Sequence, residues 1–292
     1  MSSDEKRAAV LRAIGQVAPF SACASAILAK SGEEHDLSDI VHIVKHDPAM
    51  TSRVLRVVNS AAYARQNPIH SIERAVSMLG ESMIVGIAIS EASSQIFSRA
   101  LDGYAAEAGA LWKHDLRCAI AARKLAGYTN GRVGGELAFT CGLLHDLGKA
   151  VISDFLQGTP PVIQTALDQH RVHDYTAAER ALVGMDHAEA GEELARYWRL
   201  PEPLPTVLRH HHHPSEAPPE WRALTYTVHL GDIVAMMAGC GTGADTLQYA
   251  LDNGYVEFIA LEKDSLDLVM LGVEEDFARI AASLEEGGGE SP

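Results

Sequence analysis

The chain has few cysteines, and none of them lies in a closely spaced pair. Cys23, Cys118, Cys141 and Cys240 are widely scattered along 292 residues, and no CxxC motif occurs. A disulfide framework is built from a dense set of cysteines, so it is excluded as an organising principle here. The pattern predicts buried, reduced thiols in a cytoplasmic protein.

A long apolar run and an excess of basic residues are also missing. No run approaches the ~18 apolar residues of a membrane span, and the start, MSSDEKRAAV, has no apolar signal core. With 24 Lys and Arg against 39 Asp and Glu, the formal net charge is −15. Binding along a nucleic-acid backbone requires a basic surface, so this charge argues against it. A phosphorylated ligand would need cations supplied locally.

Helical periodicity is what the sequence has in abundance. Alanine and leucine are frequent, β-branched alternation is rare, and Pro or Gly interrupts the chain at helical lengths. We expect an all-α, two-lobed protein, with an N-terminal helical lobe over 1–100, a second lobe over 101–240, and C-terminal helices and a frayed tail over 241–292. One unbroken helix is predicted over 134–155, and two helices are predicted within 244–285.

Polar residues occupy positions of the second lobe that the apolar pattern would bury. They are His114, His145, Asp146, His187, the run His210–His213, and Asp232. Singly, each has an ordinary explanation as a hydrogen-bonded core residue or, for the run, as a solvated helix end. Five helices that all bury such groups would be destabilised unless something satisfies them together. Divalent cations would do so, and the residues alone leave both alternatives open.

The chemistry of these groups narrows the choice of metal. Imidazole and carboxylate ligands without thiolate favour iron, manganese, zinc or nickel over calcium, and they disfavour magnesium. Within GLLHDLGK, His145 and Asp146 would project about 100° apart on a helix. The aspartate could then bridge two cations, about 3.5–4 Å apart, that polarise a phosphoryl oxygen and activate a water. Lys149, one turn further on, is predicted to face the same cavity and to pair with a substrate phosphate.

Several stretches resemble the HDOD family, within the HD superfamily of metal-dependent phosphohydrolases. The HD signature is a spaced His, an adjacent His–Asp and a distant Asp, which here are His114, His145–Asp146 and Asp232. HDLGK is close to the HD(I/L)GK of that superfamily. The resemblance to HDOD domains in particular is carried by KHDPAMTSRVLRVVNSAAY, IHSIERAVSMLG, LWKHDLRCAIAARKLA, CGLLHDLGKAVI, ERALVGMDHAEAGEELARYWRLP and LRHHHHP. Together these stretches cover roughly residues 17–240.

The resemblance implies a set of site residues. The implied metal ligands are His114, His145, Asp146, His187, His211, His212 and Asp232, for two cations that are iron or manganese, with zinc or nickel as alternatives. Asp146 and Lys149 are the implied catalytic residues. Glu179 matches a glutamate that is either a further ligand or a hydrogen-bond acceptor behind one. His229 matches a position that is commonly not a ligand.

For function, the resemblance implies a bacterial signal-transduction protein. HDOD domains resemble HD-GYP cyclic-di-GMP phosphodiesterases without the GYP segment, and here HHHPSEAPPEW stands where that segment would follow. We therefore expect a regulatory module with a retained divalent-metal site. The alternative is an active phosphohydrolase that cleaves a cyclic dinucleotide or another phosphoester. Because we recognise no receiver, GGDEF or DNA-binding segment, the expected partner, a signalling protein or a nucleotide, acts in trans.

Overall fold

The regular structure of the protein is helical. The computed structural model describes residues 3–18, 20–30, 35–60, 63, 68–92, 99–239 and 241–288. Across these ranges there is one isolated bridge, between Leu101 and Ala106, and no β-strand. The α-helices are α1 (Ser3–Ile14), α2 (Ala22–Lys30), α3 (Leu37–Lys45), α4 (Pro48–Val58), α5 (Ile72–Leu79), α6 (Glu81–Ala92), α7 (Ala110–Ala126), α8 (Gly135–Leu144), α9 (Leu147–Ile152), α10 (Pro160–Asp168), α11 (Tyr175–Val183), α12 (His187–Tyr197), α13 (Leu204–His210), α14 (Pro219–Met237) and α15 (Ser265–Gly288). The predicted all-α fold class is confirmed.

Helix α7 is the centre around which the second half of the chain packs. It lies against α8, α14 and α15, while α9 packs on α12 and α12 on α13. Helix α8 can approach α7 closely because Gly142 has no side chain; a Cβ at that position would lie 2.8 Å from the Cα of Ala119. The contact brings the end of α8 beside α7, and both helices carry residues of the candidate site.

The first and last helices contact helices that are distant in sequence. Helix α1 packs against α9, α11 and α12. There Arg7 pairs with Glu189, and the Lys6 Nζ donates to the carbonyl oxygen of Leu182 at 2.7 Å. Helix α15 lies against both α4 and α7. The lobe boundaries at residues 100 and 240 remain a prediction.

Two helix predictions are wrong. The helix predicted over 134–155 is divided into α8 and α9, because the chain turns at Asp146 with φ −98° and ψ 9°. At the turn, the Nδ1 of His145 donates to the carbonyl of Gly142. In a continuous α-helix that carbonyl would accept from the amide of Asp146. The two helices predicted within 244–285 are a short 3-10 turn at Asn253–Glu257 and the single helix α15. Residues 241–252 contain no helix or strand, and two of their polar side chains, Thr242 and Asp245, bond to Lys149, as described below.

Three other sequence predictions can be compared with the structure, and two of them fall partly on residues outside the described ranges. None of the helices among the described residues has both the length and the apolar character needed to cross a bilayer. Cys23, Cys118 and Cys141 are buried free thiols, and Cys240 lies outside the described residues. The helix predicted over 81–100 extends to Ala92, and residues 93–98 lie outside the described residues.

Gly148 permits the contact between α9 and α12, and its substitution tests that packing. A Cβ at Gly148 would overlap the carbonyl oxygen of His187 and lie 2.6 Å from the amide nitrogen of Gly191. We expect Gly148→Ala to lower the free energy of unfolding by about 3 kcal/mol, measured by urea denaturation, because backbone on both helices would have to move. Gly134→Ala is the control, since Gly134 has φ −74° and a Cβ there meets no atom within 4 Å. Its effect should be about 0.5 kcal/mol or less; equal losses in both variants would contradict the close contact.

Candidate metal centre

All seven predicted ligand residues lie in one buried cluster. They are His114, His145, Asp146, His187, His211, His212 and Asp232. Contacts of 2.8–3.6 Å between side-chain nitrogen and oxygen atoms link each of them to at least one other. The most exposed of them, His212, is 7% accessible. The structure therefore brings these side chains together, and their role as metal ligands remains a prediction.

The cluster is assembled from five places in the fold. His114 lies in α7, His145 and Asp146 between α8 and α9, His187 at the start of α12, His211 and His212 directly after α13, and Asp232 in α14. Helix α12 begins at His187 because Asp186 caps it, accepting a hydrogen bond from the Glu189 amide at 2.7 Å. Within the histidine run, His211 and His212 are buried whereas His213 is exposed. The burial thus agrees with His211 and His212 as the two ligands that the family resemblance implies within this run.

Asp146 lies at the centre, and its two carboxylate oxygens face different pairs of imidazoles. Its Oδ2 is 3.6 Å from His114 Nε2 and 3.5 Å from His145 Nε2. Its Oδ1 is 3.4 Å from His187 Nε2 and 3.6 Å from His211 Nε2. Most of these separations are too long for hydrogen bonds. They fit ligand atoms around a common cation, because two bonds of about 2.1 Å at a tetrahedral angle hold their ends roughly 3.4 Å apart.

Two groups of potential ligand atoms share this aspartate. One group is Asp146, His187, His211 and His212, and the other is His114, Asp115, His145 and Asp146; within each, the ligand atoms lie within 4.8 Å of one another. Asp232 adjoins the second group, since its Oδ1 is 3.0 Å from His114 Nε2 and 3.6 Å from His145 Nε2. A carboxylate common to two ligand groups is the arrangement expected of a bridging ligand.

Backbone carbonyls fix the orientation of two imidazoles. The Nδ1 of His145 donates to the Gly142 carbonyl at 2.8 Å, and the Nδ1 of His211 donates to the Leu208 carbonyl at 2.7 Å. Because a carbonyl oxygen only accepts, the proton of each neutral ring is on Nδ1 and the lone pair is on Nε2. Neither Nε2 atom has a hydrogen-bond partner in the part of the chain that the structure describes, and the same holds for Asp146 Oδ1. These buried acceptors fit a cation.

Glu179 holds His187 from behind. It accepts hydrogen bonds from the Nδ1 and from the backbone amide of His187, both at 2.8 Å. The hydroxyl of Tyr104 donates to its other oxygen at 2.6 Å. Of the two roles that the resemblance implies for Glu179, the geometry favours the hydrogen-bond acceptor, which sets the ring direction of a neighbouring ligand.

His229 is buried near the cluster but has no free nitrogen. Its Nδ1 donates to the carbonyl of His211 at 2.8 Å, and its Nε2 accepts from the Asp252 amide at 2.9 Å. Both ring nitrogens are therefore used in structural hydrogen bonds. This agrees with the expectation that His229 is not a ligand.

The protonation states of His211, His212 and Asp146 suit a divalent cation. At His114 and His187, burial opposes the charge, but Asp232 and Glu179 outweigh it and raise the pKa of the rings. Burial lowers the pKa of His211 to about 4 and that of His212 well below its usual value, so both rings are neutral at pH 7. Burial opposes the ionisation of Asp146, but the neighbouring His145 and Lys149 outweigh it and hold the pKa of that carboxyl well below its usual range. Neutral imidazoles and ionised carboxylates are the forms that ligate metals.

Lys149 faces the cluster, and its ammonium is paired with protein oxygens. Its Nζ is 2.6 Å from Asp146 Oδ2, 2.5 Å from Asp245 Oδ2 and 2.8 Å from Thr242 Oγ1. Burial opposes the charge on Lys149, but Asp146 and Asp245 outweigh it and raise the pKa above its usual range. The pairing of Lys149 with a substrate phosphate remains a prediction.

Sequence reasoning missed four residues that line the cluster: Asp115, Thr242, Asp245 and Tyr249. Asp115 is fully buried, with Oδ1 3.7 Å from His145 Nδ1, and burial together with the charge of Asp146 raises the pKa of its carboxyl. Its signal was the His–Asp dipeptide in WKHDLR, one of five such dipeptides in the chain. The Tyr249 ring stacks on His212, with centroids 4.0 Å apart and an angle of 20° between the planes. No local pattern identifies Asp245 or Tyr249, which lie beyond the recognisable motifs.

Comparisons with known sequences match the region that contains all of the cluster except Asp232. The model of the HDOD domain family matches residues 8–214. An uncharacterised protein of Treponema pallidum (strain Nichols) is 30% identical over 194 residues, which are 66% of this chain and 36% of that protein. The chain therefore spans little more than a third of the length of this relative.

Solved structures agree with the fold. An HDOD domain protein from Geobacter sulfurreducens is 23% identical with a TM-score of 0.69, and the match covers 97% of this chain and 99% of that one. A protein from Marinobacter aquaeolei VT8, provisionally described as a signal-transduction protein, is 20% identical with a TM-score of 0.72, covering 98% of this chain and 66% of that one. At such identities the likeness concerns the fold alone. The family match over most of the chain, together with this fold, means that the protein belongs to the HDOD family.

Proposed function

We propose that the protein is a regulatory module of bacterial signal transduction whose HD-type site holds two divalent cations. The observation that carries this proposal is the position of Asp146, whose two oxygens each face a different pair of imidazole nitrogens at 3.4–3.6 Å. A carboxylate in that position can bridge two cations. The remaining ligands are His114, His145 and Asp232 on one side and His187, His211 and His212 on the other.

The ligand set favours particular metals. Imidazole and carboxylate without thiolate select first-row transition ions, so iron or manganese is expected first, with zinc or nickel as alternatives. Bound there, such ions would lower the pKa of a coordinated water and polarise a phosphoryl oxygen. The chain's own residues hold the ligands in place: Glu179 orients His187, and backbone carbonyls orient His145 and His211.

Burial of the cluster favours regulation over turnover. The seven candidate ligands are at most 7% exposed, and the Lys149 ammonium is already paired with Asp146 and Asp245. A phosphoester cannot reach a metal in this arrangement without movement of the surrounding chain. We infer that bound metal holds the helices in shape while a signalling protein or a nucleotide acts in trans. The Marinobacter protein similar in fold, provisionally described as a signal-transduction protein, is consistent with this proposal.

A metal-dependent phosphohydrolase is the second candidate function. It is favoured by the two ligand groups that share one carboxylate, since two-metal sites of this kind catalyse phosphoester hydrolysis. Asp146 and Lys149 would be the residues nearest the reacting phosphate, and a cyclic dinucleotide or another phosphoester would be the substrate.

Replacement of Asp146 tests the bridging role. Wild-type protein is expected to bind about two first-row ions per chain, and Asp146→Asn about one or fewer, because the amide keeps the size of the side chain but removes its charge. Elemental analysis measures this, and far-UV circular dichroism checks that the variant is folded. Asp168→Asn, at an exposed carboxyl hydrogen-bonded by Gln164, is the control and should retain both ions. Equal metal content in all three proteins would refute the bridge.

The buried histidines His211 and His229 give a second test, because only His211 has a ring nitrogen without a hydrogen-bond partner among the described residues. His211→Gln removes a nitrogen that faces Asp146, so at least one ion should be lost and added manganese should raise Tm less than it does in wild type. His229→Gln is the matched control, because both nitrogens of His229 are already hydrogen-bonded. It should lower stability by about 1–3 kcal/mol while keeping its metal. Loss of metal from both variants, or from neither, would contradict the assignment of ligands.

Turnover separates the two candidate functions. Manganese-loaded wild type is expected to leave cyclic di-GMP intact in an assay by liquid chromatography, because the centre is closed. Hydrolysis that depends on metal and disappears in Asp146→Asn would instead establish the phosphohydrolase.

A further inference from the structure

Residues 241–252, here called the strap, cover one side of the candidate metal centre. The strap follows α14 and lies outside the region matched by the family model. Its side chains Thr242 and Asp245 are 2% and 1% exposed, so they point inward, whereas Leu247 on the outer side is 57% exposed. An irregular segment that buries polar groups against the site must find its hydrogen-bond partners there.

The inward side chains converge on Lys149. Asp245 Oδ2 accepts hydrogen bonds from Lys149 Nζ at 2.5 Å and from the Tyr249 hydroxyl at 2.8 Å. Thr242 Oγ1 lies 2.8 Å from the same oxygen. The same Lys149 ammonium is 2.6 Å from Asp146 Oδ2. One cation therefore joins the strap carboxylate to the central carboxylate of the site.

The strap also covers the histidines. The Tyr249 ring lies parallel to His212, with 4.0 Å between centroids, and meets His187 edge-on at 5.9 Å. The aromatic ring covers two histidines of one ligand group, and the Asp245–Lys149 pair adjoins the Asp146 carboxylate that both groups share. An incoming ligand that is to contact the centre from here has to displace them.

Few backbone hydrogen bonds hold the middle of the strap to the rest of the protein. Ala244 donates to the Tyr104 carbonyl at 2.7 Å and the Leu247 amide donates to the Met236 Sδ at 3.3 Å, while Thr246 and Gln248 donate to carbonyls within the strap itself. The far end is held by the bond from the Asp252 amide to His229. A segment with few outside backbone bonds can open at a lower cost than the helices around it. Opening would have to break the inward ion pair between Asp245 and Lys149 and expose the Tyr249 ring, which is 9% exposed and stacked on His212.

We propose that the Asp245 carboxylate stands in for a phosphate group of an anionic ligand, and that a phosphorylated small molecule binds the centre by displacing the strap from Lys149. A carboxylate and a phosphate both offer negative oxygens to the same ammonium, so one can replace the other. This inference rests on the proposed function and deepens it, because it names the ligand class and the element that moves. The movement of the strap would also change the surface that a partner meets.

Hydrogen exchange of the full-length, manganese-loaded protein tests the proposal, with inorganic phosphate as the probe. Phosphate should speed amide exchange in peptides covering 241–252 and leave α12 unchanged. Asp245→Asn should exchange about tenfold faster in the strap without phosphate, and should bind phosphate about tenfold more tightly, because the amide competes poorly for the ammonium. Glu257→Gln removes an exposed charge from the same C-terminal region and should behave as wild type in both measurements.

Tyr249→Phe keeps the proposal testable if Asp245→Asn disturbs folding. It retains the ring over His212 and removes only the hydroxyl bond to Asp245, so strap exchange should rise less than in Asp245→Asn while α12 stays protected. Phosphate binding without faster strap exchange, or wild-type strap exchange in both variants, would overturn the proposal. The metal content of the same samples distinguishes this failure from a failure of the proposed function. Protein that binds no manganese refutes the metal centre. Unchanged strap exchange in manganese-loaded protein refutes only the proposed movement of the strap.

Discussion

The burial of the Asp146 carboxylate is the constraint on which the site depends. A buried anion costs several kcal/mol unless opposite charge or hydrogen bonds compensate for it. Lys149 supplies one ammonium at 2.6 Å, but it is shared with Asp245, and Asp232 adds a further carboxylate nearby. His211 and His212, whose pKa burial lowers, offer lone pairs in place of positive charge. Divalent cations between these groups would balance the carboxylates and satisfy the lone pairs at the same time.

The same arrangement connects a regulatory function with the chemistry of the HD superfamily. The ligand groups are positioned by helices that approach closely, as at Gly142 and Gly148, so the centre is a rigid part of the core. The strap is the part of its enclosure that has few backbone bonds. A site that is rigid on one side and closed by a weakly held segment on the other can respond to a ligand by moving that segment. Whether such a protein regulates or catalyses depends on how readily the strap opens.

Much of the fold and of the site followed from local sequence, and the remainder depended on tertiary contacts. Periodicity predicted the helix at 175–183, which is α11, because its apolar face and its caps are encoded in adjacent residues. The break at His145 and Asp146 was missed because a side chain takes the Gly142 carbonyl from the backbone. Asp245 was missed because its partner, Lys149, lies 96 residues earlier in the chain. Such a pairing leaves no periodic signal.

The most direct test of the central claim is a crystal structure of protein grown with manganese, with anomalous data collected at its absorption edge. The account predicts two anomalous peaks on opposite sides of the Asp146 carboxylate, one among His187, His211 and His212 and the other among His114, His145 and Asp232, about 4 Å apart. A map with no anomalous peak beside Asp146 would contradict it.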